Sequence, residues 1–104
     1  MDNPISAKAA LLQALISGPG YGLDLIDRVK RQTNGKIELG QGSVYPALRD
    51  LESDGLVDGY DSEPLPERGG RPRRYYRLNA LGAQAAMEHR TIVRGLFGLM
   101  PVVV

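Results

Sequence analysis

Three breaker clusters, Ser17-Gly18-Pro19-Gly20, Asn34-Gly35 and Asp54-Gly55, punctuate the first half of the chain. Glycine, proline and asparagine at these points stop regular elements, so this half reads as three short helices. In the first, Asn3 can cap and Pro4 suits an opening turn, and Ile5, Ala9, Leu12, Leu15 and Ile16 recur at helical spacing. The second runs from about Tyr21 to Asn34, with Leu23, Ile26 and Val29, joined by Leu25, on its apolar side. Asp24 and Asp27 come early and Arg28, Lys30 and Arg31 late, as the helix dipole favours. A connection from Lys36 to Gly42 leads to the third, with Ser43 as its N-cap and Val44, Leu48 and Leu51 as its stripe. Begun at Ser43, this helix carries Pro46 in its first turn, where the missing N–H costs nothing. Begun nearer Gly40, it would pay more and distort.

The second half changes period. Leu56 to Tyr60 reads as a strand, and Asp61 to Pro72, rich in proline, glycine and charge, as a loop. Arg73 to Leu78 reads as a second strand, with Tyr76 and Leu78 facing one way and Tyr75 and Arg77 the other. Asn79 caps a last helix that Pro101 ends. A two-stranded hairpin is marginal alone, so it must pack on the helices through Leu56, Val57, Tyr76 and Leu78. The expected fold class is mainly α with a small β-hairpin: a winged helix-turn-helix domain over residues 1–78 and a C-terminal dimerisation helix over residues 79–104.

Composition narrows the chemistry. With 104 residues, 42% of them apolar, the chain can build one small core, which gains from oligomerisation. The absence of cysteine excludes disulfides, thiolate metal sites and a cysteine nucleophile. His89 is the single histidine, so no metal and no cofactor is expected. No nucleophile–base pair or pair of catalytic carboxylates stands out, and Gly18-Pro19-Gly20 lacks the lysine of a phosphate loop, so no enzyme is expected. The first residues do not read as a signal peptide, and the apolar stretch from Leu96 to Val104 is broken by Gly98 and Pro101 and too short to span a bilayer. A cytoplasmic protein without a membrane partner is the expectation.

A net charge of +1 is uninformative, but its distribution is not. Arg68, Arg71, Arg73, Arg74 and Arg77 fall within ten residues, after a stretch rich in Asp and Glu. Alone, this segment reads equally well as a solvated basic loop. Behind a helix-turn-helix it reads as a wing that meets a phosphate backbone or a narrow minor groove.

The residues at these positions resemble the PadR-like regulators, bacterial winged-helix repressors. The matching pieces are Gly20-Tyr21-Gly22-Leu23-Asp24-Leu25, then Gly42 to Leu48 with Leu51-Glu52 and Gly55-Leu56, then Gly70 to Leu78 followed by Gly82. Gly40, Ser43 and Asn79 depart from the family's usual residues by cap-compatible exchanges. The resemblance implies a dimeric regulator of the short type, with a DNA-backbone contact through the Tyr45 hydroxyl. Some short members hold planar drugs between aromatic side chains. This chain has no tryptophan, so that function does not carry over, and a small-molecule effector stays open.

The expected partner is double-stranded DNA, read as an inverted repeat by a homodimeric repressor. Gln41 and Ser43 lie at the start of the recognition helix, where Gln41 can read adenine and Ser43 base or phosphate, with Arg49 one turn on. Tyr45 and Tyr21 read equally as backbone contacts and as core packing. Arg68, Arg71, Arg73 and Arg74 supply the wing's cations. On the last helix, Leu81, Ala85, His89, Ile92, Leu96 and Leu99 belong to an apolar arc of roughly 160°, wider than one small domain covers, and form the expected dimer seam. Arg90, Arg94, Gln84 and Thr91 lie opposite. The rival reading is a winged helix that binds protein rather than DNA.

Overall fold

The computed structural model describes residues 6–63 and 72–98. The order is α1 (Ala7–Leu15), β1 (Gly20–Tyr21), α2 (Gly22–Gln32), α3 (Gln41–Ser53), β2 (Val57–Asp61), β3 (Arg74–Leu78) and α4 (Ala80–Gly98). Three short helices, a hairpin and a long final helix thus appear in the expected sequence. Two antiparallel pairings build one sheet of order β1-β3-β2.

The third strand is a correction to the two-stranded expectation. Gly20 pairs with Tyr76 and Tyr21 with Tyr75, so the turn between α1 and α2 doubles as a sheet edge. A strand of two residues carries no periodicity and leaves no signal in a sequence. Its position fastens the wing to the start of α2.

The core joins α1, α2, α3 and the inner face of the sheet. Leu11, Leu25, Val44, Leu48 and Leu51 are fully buried, with Val57 and Tyr76 from the wing above them. α1 buries Ala10, Leu11, Ala14 and Leu15, whereas Ala9, Leu12 and Ile16 of the expected stripe are half-buried. Ile5 lies outside the described residues. Leu23, expected on the apolar side of α2, is exposed.

α3 also starts earlier than expected. Its cap residue is Gly40, whose carbonyl accepts from the N–H groups of Ser43 and Val44 at 3.0 Å each, so Ser43 lies inside the helix rather than capping it. Pro46 therefore stands beyond the first turn. The carbonyl it leaves without a donor belongs to Gly42, which is exposed and open to water, so the helix continues to Ser53.

α4 is tied on at two points. The Asn79 side chain accepts from Gly82 N at 2.9 Å and donates to the Gly55 carbonyl at 2.7 Å, joining the cap of α4 to the end of α3. Gly82 packs against the Leu56 carbonyl so closely that a Cβ could not fit there. One turn further, Gln13 of α1 donates to the Ala86 carbonyl at 2.8 Å and accepts from Arg90 Nε at 3.2 Å.

Candidate nucleic-acid interface

α3 divides cleanly. Val44, Ala47, Leu48 and Leu51 are buried, while Gln41, Ser43, Tyr45 and Arg49 are all exposed. At 100° per residue, Gln41, Tyr45 and Arg49 form one outward row, with Ser43 flanking it near the amino end. Free N–H groups and the positive end of the dipole add to the same end of the helix.

Tyr45 is packed on one side and open on the other. Its ring lies against Gly22, where an added Cβ would stand 2.5 Å from Cε1, yet 38% of the residue remains exposed. Packing fixes the ring between α2 and α3, and the remainder faces outward in line with Gln41 and Arg49.

The turn before α2 is held by one arginine. Arg28 donates to the carbonyls of Ala14 (3.1 Å), Gly18 (2.7 Å) and Pro19 (2.8 Å), and pairs with Asp24 at 2.9 Å. The Gly18 and Pro19 carbonyls belong to the turn that follows α1, and the Ala14 carbonyl at its end also accepts from Ser17 N and Oγ. Arg28 is therefore committed to the turn, not to an outer ligand.

The wing's two adjacent arginines have different surroundings. Arg74 crosses above Gly59 to reach Glu52 of α3 at 3.0 Å and Asp61 at 3.5 Å. Desolvation opposes its charge, but Glu52, Tyr76 and Asp61 together outweigh that and raise its pKa above the ordinary arginine value. Arg73 has no carboxylate of the described residues at ion-pair distance. Its guanidinium lies 4.3 Å from the centre of the Tyr21 ring.

That contact ends a continuous row across the outer face of the sheet. The register aligns Tyr21, Tyr75 and Tyr60 on three neighbouring strands. Tyr21 meets Tyr75 edge-on at 5.4 Å, and Tyr75 stacks on Tyr60 at 5.8 Å. Arg77 covers the far end, 5.3 Å from the Tyr60 ring centre, and forms no ion pair with Asp58, its partner in register. Arg68 and Arg71 lie outside the described residues.

The sequence matches the family model described as "Transcriptional regulator PadR-like family" over residues 11–88. The chain belongs to the PadR-like family. Solved structures agree on the fold. A PadR-like transcription factor from Bacteroides fragilis has 25% identity and a TM-score of 0.74, over 88% of this chain and 84% of that one. A PadR family regulator from Clostridium difficile R20291 has 22% identity and a TM-score of 0.74, over 90% and 93%. Bacillus subtilis PadR, solved in complex with operator DNA, has 21% identity and a TM-score of 0.67, over 78% of this chain and 44% of that one. A search of the curated proteins found no match.

In this PadR-like protein the apolar arc of α4 is split between two directions. Gly82 and Ala86 are buried, and Ala85, His89, Arg90 and Val93 are half-buried. Arg90, expected on the outer polar face, instead reaches Gln13. His89 borders a small cavity with Ala10, Gln13, Val29 and Thr33, so it turns toward α1 and α2. Leu81, Met87 and Ile92 are 61%, 50% and 63% exposed. Leu99 and the Leu96 side chain lie outside the described residues.

The elements that periodicity missed are those made by single side chains. Tyr60, Tyr75, Gln13 and Glu52 each act through partners on other elements, which no spacing rule along the chain reveals. Among the described residues, no group of three or more His, Cys, Asp or Glu could hold a metal ion, and no helix is long and apolar enough to cross a membrane.

Proposed function

We propose that this PadR-like regulator binds duplex DNA as a homodimer and represses transcription from an inverted-repeat operator. The observation that carries the reading is the exposed row of Gln41, Tyr45 and Arg49 on α3, flanked by Ser43 and accompanied by a wing arginine with no carboxylate partner among the described residues. Hydrogen-bonding side chains at the amino end of a recognition helix suit base edges in a major groove, and arginines on a neighbouring hairpin suit phosphates. Residues 1–78 then form the reading head and residues 79–104 the dimer element. Leu81 and Ile92, about 20° apart around the helix, give α4 an exposed apolar strip that a second subunit would cover, with Met87 exposed on the other flank. The protein acts in the cytoplasm, where its DNA is.

Selection of bound sequences from a random duplex pool by the purified protein tests this. A palindromic motif is the expected result. Failure to enrich any motif overturns sequence-specific reading and favours a winged helix that binds protein.

A further inference from the structure

We propose that Tyr21 is a positioning residue that seats the Arg73 guanidinium on its ring and presents it, still fully charged, to a DNA phosphate; this rests on the DNA-binding reading above. Four observations meet here. The Arg73 guanidinium is 4.3 Å from the Tyr21 ring centre. The backbone of Arg73 is pinned by Ser62, whose hydroxyl accepts from Arg73 N at 2.9 Å and whose N–H donates to the Arg73 carbonyl at 2.8 Å. The Tyr21 ring is itself braced edge-on by Tyr75 at 5.4 Å. Finally, Tyr21 sits immediately before α2, so the same residue joins the wing to the helix-turn-helix.

The nature of the contact decides its use. A carboxylate that orders an arginine also neutralises it, as Glu52 and Asp61 do for Arg74. An aromatic face orders a guanidinium without removing its charge or occupying most of its donors. Arg73 is thus restrained before binding, and less side-chain freedom is lost when a phosphate arrives. Arg73 touches the ligand, and Tyr21 acts through it.

The test compares wild type, Tyr21→Phe, Tyr21→Leu, Arg73→Ala and the Tyr21→Leu/Arg73→Ala double variant, binding a fixed duplex at several salt concentrations. Thermal unfolding confirms that each is folded. Tyr21→Leu should weaken binding about threefold to tenfold while leaving the salt slope nearly unchanged, because the cation is still present. Arg73→Ala should weaken it further and reduce the slope by about one. Tyr21→Phe should bind like wild type, and Tyr21→Leu should cost nothing more once Arg73 is gone. Independently of DNA, the Arg73 side-chain protons should show an upfield ring-current shift in wild type and Tyr21→Phe that disappears in Tyr21→Leu. Additive losses, a phenylalanine variant as weak as leucine, or no ring-current shift overturns the proposal. A wild type that fails to bind duplex DNA at low salt sinks the DNA reading and the delivery to phosphate, while the proton shifts still decide whether the seat exists.

Discussion

The Tyr45 ring occupies the space that a side chain on Gly22 would need: an added Cβ would lie 2.5 Å from Tyr45 Cε1 and 2.7 Å from its hydroxyl oxygen. The contact sets how closely α2 approaches the recognition helix. Because Tyr45 is 38% exposed, its ring has solvent to move into. Gly22→Ala should therefore displace Tyr45 rather than unfold the domain, costing about 1–2 kcal/mol of stability and reducing DNA affinity through the moved hydroxyl. Denaturant unfolding and an affinity titration measure the two losses. In a Tyr45→Ala background, Gly22→Ala should cost much less on both counts, and equal losses in the two backgrounds would rule out this steric account.

Arg28 offers a test of stability without function. Its side chain is 14% exposed and satisfies three carbonyls around the turn from α1 to α2. Arg28→Ala takes the donor from the Gly18 and Pro19 carbonyls and the partner from Asp24, while Ala14 keeps its bonds from Ser17, so a loss of about 1–3 kcal/mol is expected in urea unfolding. Arg31→Ala is the control, since its pair with Asp27 is exposed on both sides and worth less than about 1 kcal/mol. Similar losses for the two variants would show that Arg28 does not fasten the turn.

Glu52 and Arg74 separate a clasp from a direct contact by sign. If Arg74 bound phosphate directly and Glu52 merely opposed it, removing Glu52 would strengthen DNA binding. The Glu52–Arg74 bridge over Gly59 instead ties the wing to α3, so Glu52→Ala and Arg74→Ala should both weaken binding despite their opposite charges. The double variant should lose little more than the worse single one. A rise in affinity for Glu52→Ala, measured at fixed salt, would return Arg74 to the phosphate-binding set.

These relationships also show what a sequence can reveal. The breakers at Pro19-Gly20, Asn34-Gly35 and Asp54-Gly55 and the alternation of Arg73 to Leu78 were legible because each acts within its own segment. So was the Asn79 cap, which meets Gly82 three residues on. The start of α3 is not legible because serine at position 43 is a better cap than glycine at position 40, yet the helix opens through the Gly40 carbonyl with no side-chain cap. β1 is too short to signal itself. Arg73 and Arg74 are equivalent by composition, and only Glu52 and Tyr21, distant in sequence, distinguish them.

The two sides of α4 should respond oppositely to the same substitution. Ala86 is fully buried against α1, and its carbonyl receives the Gln13 side chain. A carboxylate there cannot be solvated, so Ala86→Asp should fail to fold or lose more than about 3 kcal/mol. Ile92 is 63% exposed in the single chain, so Ile92→Asp should leave the subunit folded and act only on association. If two subunits meet through this outer face, sedimentation should show wild type as a dimer and Ile92→Asp as a monomer at micromolar concentration. Affinity for a palindrome should fall steeply, because pairing is what would hold the two recognition helices about one DNA turn apart, near 34 Å. Arg90→Ala is expected to be intermediate. It withdraws one bond from Gln13 and loosens the angle of α4 without charging the seam. An Ile92→Asp protein that remains dimeric and binds the palindrome like wild type would move the seam elsewhere on the molecule.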